Sequence, residues 1–185
     1  MDLRGQKALV LGALGRAGTA VARKFCEEGA SVVLSARREA EEFTASLRDE
    51  GYDVSFAPAD VTSREQVAAA VDATVEQLGR IDILTNCASY DHMRRFMDDE
   101  EKHWDRVIAV NYKGTMLGCQ EALRHMIPQG YGRIITLVSD SAKIGAALET
   151  AQSGAKAAIV AFLAMPDAGF ITGQAISVSG GLTMC

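Results

Sequence analysis

KALVLGALGRAG, residues 7–18, decides how the rest of this chain is read. KALVL is a short apolar run that suits a buried β-strand, and a helical pattern through Val21, Phe25 and Cys26 begins where the glycines end. A glycine loop between a strand and a helix lets the backbone approach a pyrophosphate, which then rests on the free N–H groups of the helix N-terminus. Gly12, Gly15, Arg16, Ala17 and Gly18 are therefore candidate nucleotide-binding residues. A tight turn without a ligand would also use glycine, so the strand–loop–helix context carries the reading.

Outward from that loop, strands and helices alternate. Residues 30–34 (ASVVL) form a second strand candidate rich in β-branched side chains, followed by a polar helix over about 39–49 and a third strand at 53–57 (DVSFA). Thr62-Ser63-Arg64-Glu65 reads as a helix N-cap with a glutamate three positions on, opening a helix to about Leu78. Residues 81–86 (IDILTN) make strand four. Asp98 to Glu101 supply acids at the start of a helix running through Trp104, Val107 and Val110 to near Met126. Strand five is 132–139 (GRIITLVS), a helix of small residues follows Gln152, and ISVSGG at 176–181 is a last strand. The alternation implies βαβ units, hence an α/β fold with a parallel sheet. Near-continuous apolar strands such as RIITLV are expected where helices cover both faces of the sheet. No repeat or linker interrupts residues 1–185, which read as a single domain.

The chain has 185 residues, 48% of them hydrophobic, and a net charge of −5. No basic face is available to neutralise phosphates, which argues against nucleic-acid or anionic-membrane partners. The residues read predict neither a signal peptide nor a membrane-spanning segment. Cys26, Cys87, Cys119 and Cys185 lack metal-site spacing and read as reduced thiols of a cytoplasmic protein. No metal ligand set is expected, and His103 and His125 read as helix-surface residues.

The glycine loop, PADVTS (58–63), DILTNCAS (82–89), VNYKG (110–114), GRIITLVS (132–139), SGAK (153–156) and ITGQAISVSGGLTM (171–184) together resemble the short-chain dehydrogenase/reductase family, in that family's order. The resemblance implies a Rossmann-type doubly wound domain that binds NAD or NADP and interconverts alcohols and ketones. Gly12 and Gly18 match the first and last glycines of its phosphate loop, with Arg16 where a middle glycine is usual and Gly15 as a partial substitute. Asp60, with Val61 beside it, matches the aspartate that contacts the adenine. Asn86 and Ala88 match two positions of an Asn-Asn-Ala-Gly stretch beside the cofactor.

The resemblance also implies a proton-transferring tyrosine, a lysine that lowers its pKa and holds the nicotinamide ribose, a substrate-positioning serine and an asparagine anchoring a water relay. Ser139, Lys156 and Asn111 match three of these, while the tyrosine position holds Gln152. A glutamine amide donates and accepts hydrogen bonds but is no acid or base near neutral pH. Tyr90 and His92 follow the Asn86 stretch and are weaker candidates for the substrate side.

Cofactor preference follows from charge. An acid ending strand two would hold the 2′-hydroxyl of NAD and repel a 2′-phosphate. Here Ser35-Ala36-Arg37-Arg38 carries none before Glu39. NADP(H) is favoured, with Arg37 as leading contact, Arg38 beside it and Arg16 a second. NAD(H) remains the alternative if the Arg-Arg pair merely begins a surface helix. A second departure from the family lies after residue 160, where Phe162-Leu-Ala-Met165 runs straight into PDAGFITGQ. The expected further strand and substrate lid are missing there, either because the natural chain is shortened or because the sequence as given omits a segment; a true loss would leave the sheet edge open unless a partner covers it.

The expected function is NADP(H)-dependent oxidoreduction of a small alcohol or ketone, with a cyclic or acyl-CoA hydroxy compound suggested by the wording around Ser139. The alternative is a catalytically impaired nucleotide-binding homologue acting as a sensor or oligomer subunit. The family's habit of pairing its two long helices, and the small residues Ala155, Ala157, Ala158 and Ala161, imply a homodimer or homotetramer.

Overall fold

The computed structural model describes residues 2–38 and 40–163. Five strands, β1 (Lys7–Leu11), β2 (Ser31–Ser35), β3 (Val54–Phe56), β4 (Ile83–Asn86) and β5 (Arg133–Thr136), form one parallel sheet in the order β3-β2-β1-β4-β5. β1 lies in register with β2 from Lys7 opposite Ser31, and with β4 from Ala8 opposite Ile83. The helices are α1 (Arg16–Glu27), α2 (Glu41–Asp49), α3 (Arg64–Leu78), α4 (Glu101–Val107), α5 (Gly114–Met126), α6 (Ser141–Ile144) and α7 (Thr150–Leu163), with a π-helical turn at Ile108–Lys113 between α4 and α5.

Side chains alternate along a strand, so β1 divides between two cores. Leu9 and Leu11 pack with Val67 and Val71 of α3 and Leu117 and Met126 of α5. Ala8 and Val10 pack on the opposite face with Ala22 and Cys26 of α1 and Leu47 of α2. β1, β2 and β4 thus lie under helices on both faces, as expected of a parallel sheet. In α3, Val67, Ala70, Val71 and Thr74 are buried at the spacing of one helical face. Among the described residues no helix is long and apolar enough to cross a membrane.

Four expectations need correction. The α3 N-cap is Ser63, whose hydroxyl accepts the Gln66 N–H at 3.4 Å, because Thr62 is already committed to Asp60. Strand five is shorter than 132–139: β4 ends at Asn86, and the ladder closes with Leu137 N–H donating to the Asn86 carbonyl. Nor is it covered on both faces. β5 ends the described sheet, and Ile135 is 43% exposed. The long helix before Met126 is not uniform either. A 3₁₀ turn at Phe96–Asp98 precedes α4, and the π turn interrupts the α-helical winding around Asn111. The expected strand at 176–181 and the chain beyond residue 163 lie outside the described residues.

Glycine spacing in the first loop is set by contact. α1 buries Gly18, Ala22 and Cys26 on one stripe, and a Cβ on Gly18 would run into the Gly12 carbonyl oxygen and stand 2.9 Å from Ala13 Cα. Gly18→Ala is expected to lower stability by about 1–3 kcal/mol through overpacking against backbone, read by urea denaturation. Gly154→Ala, in α7 with open space around the added carbon, should instead raise it by up to about 1 kcal/mol.

Candidate functional site

The glycine loop turns at Gly12, whose φ of 80° is left-handed and whose N–H donates to the Ser35 carbonyl at 2.8 Å. A Cβ there would stand 2.5 Å from Ala88 N, so only glycine lets the exit of β1 lie against the exit of β4. Gly15 is the N-cap of α1 and contributes no side chain, which leaves the first N–H groups of that helix open to an anion.

These elements wall a cleft of about 470 Å³ at the carboxyl ends of the strands, where the strand order reverses between β1 and β4. Gly12, Gly15, Arg16, Ala17, Arg37, Arg38, Asp60, Val61 and Ala88 all line it, bringing together nine positions that the sequence singled out. Asp60 accepts hydrogen bonds from the Thr62 N–H at 2.9 Å and hydroxyl at 2.7 Å, and lies 3.6 Å from Arg106. Burial works to raise its pKa. The Thr62 bonds and the nearby Arg106 and Arg37 charges outweigh that and hold the carboxyl below its usual range.

Three expected cofactor contacts, Gly18, Asn86 and Lys156, are not among the residues lining this cleft. Gly18 is buried against the loop as a packing residue. Asn86 lies beneath the cleft, its amide donating to Thr136 Oγ1 at 3.2 Å and binding β4 to β5.

The four catalytic candidates fall on adjoining elements. Asn111, fully buried, occupies the π turn. Its amide donates to the Tyr90 carbonyl at 2.6 Å and the Val107 carbonyl at 3.0 Å, while its oxygen accepts from the Ser89 hydroxyl at 2.8 Å. That side chain clamps the strand β4 exit. Ser139 follows β5, and its hydroxyl accepts the Ser141 N–H at 3.2 Å. Gln152 and Lys156 are four apart on α7, on one side of the helix, and α7 packs on the π turn and on α6. Lys156 is only 4% exposed, and its Nζ donates to the Leu137 carbonyl at 3.1 Å. Burial pushes its pKa down to about 8, with the neighbouring Cys87 thiol acting weakly in the other direction. Burial likewise raises the Cys87 thiol to about 11.

Sequence reasoning missed Arg106, whose guanidinium stands 5.9 Å over the Tyr90 ring inside the cleft. Its spacing of four from Val110, another cleft residue, was the available signal. Tyr90 does reach the cleft wall, while His92 is exposed beside it. His103 is not a surface residue. It is 5% exposed, with Nδ1 2.7 Å from Asp99, because Asp99 turns inward to hold both His103 and the Trp104 indole. His125 stays near the surface beside Asp72. Among the described residues no His, Cys, Asp or Glu cluster could hold a metal ion.

A short chain dehydrogenase family model matches residues 6–168. The chain belongs to that family. It is 34% identical over 159 residues to an acetoacetyl-CoA reductase of Allochromatium vinosum, covering 84% of this chain and 65% of that protein. A gluconate 5-dehydrogenase of Burkholderia cenocepacia, solved with NADP and tartrate, superposes with a TM-score of 0.83 at 31% identity, over 87% of this chain and 64% of the other. An NAD⁺-bound xylitol dehydrogenase gives 0.84 at 33% identity, over 88% and 64%. The chain thus spans slightly under two thirds of the length of these short chain dehydrogenase relatives.

Burying a lysine charge is a stability cost with a definite pH dependence. Below about pH 8 both folded and unfolded forms carry the proton and the cost is full. Between about 8 and the unfolded value near 10.4 the unfolded state holds more protons, so stability rises with pH, and above that the cost is gone. Lys156→Met is therefore expected to stabilise the protein at pH 7 by roughly 1–3 kcal/mol, a gain that vanishes in thermal melts above about pH 10.5.

Proposed function

We propose that this chain is an NADP(H)-linked oxidoreductase interconverting a small ketone and its secondary alcohol. The observation that carries the cofactor assignment is the charge of the cleft: among the described residues Arg16, Arg37, Arg38 and Arg106 line it, with Asp60 as the one carboxylate. A dinucleotide fits the residues present. Gly12 leaves a cradle that a Cβ would fill, and the start of α1 offers unpaired N–H groups. Arg37 and Arg38 would hold a 2′-phosphate, Asp60 and Val61 would border the adenine, and Lys156 would hold a ribose hydroxyl. The bound cofactor supplies or accepts the hydride.

The chain's own part in the chemistry is to place the substrate oxygen and handle its proton. Ser139 Oγ is free to donate to that oxygen while it accepts from Ser141. Gln152 can add a second hydrogen bond but cannot give up a proton. Of the four candidates only Lys156 titrates, and its Nζ, with a pKa near 8, loses a proton close to neutrality. Slow chemistry is the consequence. A non-catalytic nucleotide-binding role is the second reading, favoured by Gln152 alone. The reading also includes a cytoplasmic setting, supported by the free buried thiols Cys26, Cys87 and Cys119, one domain over 1–185 that lacks the usual lid, and self-association through α5 and α7. The acetoacetyl-CoA reductase relative supports an acyl-CoA compound among the substrates to try.

Arg37→Ala should weaken NADPH binding by roughly 1.5–3 kcal/mol, the worth of a hydrogen bond to a charged group, and leave NADH binding nearly unchanged. Equal losses in a titration of both cofactors would remove the 2′-phosphate assignment. Gln152→Tyr should raise the single-turnover rate of NADPH oxidation with an activated ketone by about 10²-fold or more, with cofactor affinity preserved. Tight NADPH binding with no turnover in either form selects the non-catalytic reading.

A further inference from the structure

Arg106, in the last turn of α4, lines the nucleotide cleft with its side chain 33% exposed. Its Nη2 stands 3.6 Å from Asp60 Oδ2, close enough for charge attraction but too far for a hydrogen bond. On the Asp60 side, the Thr62 N–H and hydroxyl both bond Oδ1, and Oδ2 has no hydrogen bond among the described residues. On the Arg106 side, the guanidinium lies 5.9 Å from the Tyr90 ring centroid, near the outer limit of cation–π attraction. Its N–H groups make no hydrogen bond among the described residues. Tyr90 is itself fixed by Asn111, which accepts from its N–H at 3.4 Å and donates to its carbonyl at 2.6 Å. An acceptor and a set of donors thus stand side by side on the cleft wall, both open to a ligand.

The charges of this pair narrow what it suits. A phosphate set against Arg106 would also meet the Asp60 carboxylate, whereas a neutral group that both donates and accepts meets no repulsion. The start of α1 and the Arg37–Arg38 pair offer an anion better places. A donor beside an acceptor is what adenine presents on the edge farthest from its ribose: an amino group next to the N1 lone pair. Uracil pairs with that edge through a carbonyl and an N–H side by side, and Asp60 Oδ2 with the Arg106 guanidinium offers the same order of groups. We propose that Arg106 is a base-reading residue of the cofactor site, donating to adenine N1 while Asp60 Oδ2 accepts from the amino group. The proposal rests on the dinucleotide reading above and adds the recognition of its base. The part it gives Arg106 is specificity, with no share in proton or hydride transfer.

The hypoxanthine analogue of NADPH inverts both groups, with an oxygen at the amino position and an N–H at N1, and keeps the riboses and phosphates. Titrations followed by reduced-nicotinamide fluorescence compare the two without turnover. The unmodified protein is expected to bind NADPH at least about 10-fold more tightly than the analogue. Arg106→Met keeps the aliphatic stem and removes the donors. It should weaken NADPH and NADH by the same factor, about 10-fold, and leave the analogue unchanged, so that discrimination between the bases falls about 10-fold. Arg106→Gln, shorter and without the charged fork, should give the same pattern, and thermal melts of the cofactor-free protein check that each variant is folded. Weakening of NADPH alone makes Arg106 a 2′-phosphate contact and overturns the assignment. Equal weakening of the adenine and hypoxanthine dinucleotides overturns it too, because Arg106 then only supports the wall at Asp60 and Tyr90. So does an unchanged NADPH affinity in both variants. Failure of both NADPH and NADH to bind the unmodified protein removes the dinucleotide reading first and is seen before any variant is made.

Discussion

The close approach of Gly12 to Ala88 is the constraint on which the rest of the site depends. No side chain fits between the exits of β1 and β4, so the two central strands end side by side and the chain must leave in opposite directions. The cleft exists because of that divergence. Gly18 then lets α1 sit down on the turn itself, which brings its N-terminus to the cleft floor. Asn111 secures the other wall by holding both the N–H and the carbonyl of Tyr90. Around this frame, among the described residues, four guanidinium groups face one carboxylate in a protein whose overall charge is −5. The local field therefore opposes the global one, and it favours a multiply charged anion at one place on the surface.

Much of this was legible in the sequence. The β-branched runs and the glycine loop located β1 to β4 within a residue or two, because buried parallel strands are read from composition alone. The loop and the Arg37–Arg38 pair were read from their places after strands one and two, and Asp60 from the family resemblance; all three line the cleft. What escaped depended on tertiary contact. His103 lies on a polar stretch, and only the inward turn of Asp99 makes it buried. Arg106 reads as a surface helix residue until the helix is placed over Asp60 and Tyr90. Thr62 and Ser63 compete for one capping role, and the Asp60 side chain settles the matter.

The proposed site is uneven in what it offers. Residues lining the cleft could hold a dinucleotide, while Gln152, proposed for the proton-transfer position, carries an amide. The retained Lys156 is expensive to bury, since its charge has one carbonyl partner and little water. A buried lysine that costs stability at neutral pH is what the proposed function would explain.

The π turn at Ile108–Lys113 has a consequence for how this helix tolerates change in length. A π turn is an α-helix that has accommodated one extra residue, and here the Asn111 amide on the Val107 carbonyl secures the widened winding. Excising one residue from the turn would let the helix rewind regularly, but it would rotate everything beyond by about 100° relative to what precedes it. Arg106 and Val110 would then face the cleft only if Leu117 and Ala122 left the core. The bulge works as a phase adapter between two faces that ordinary helical pitch cannot serve together.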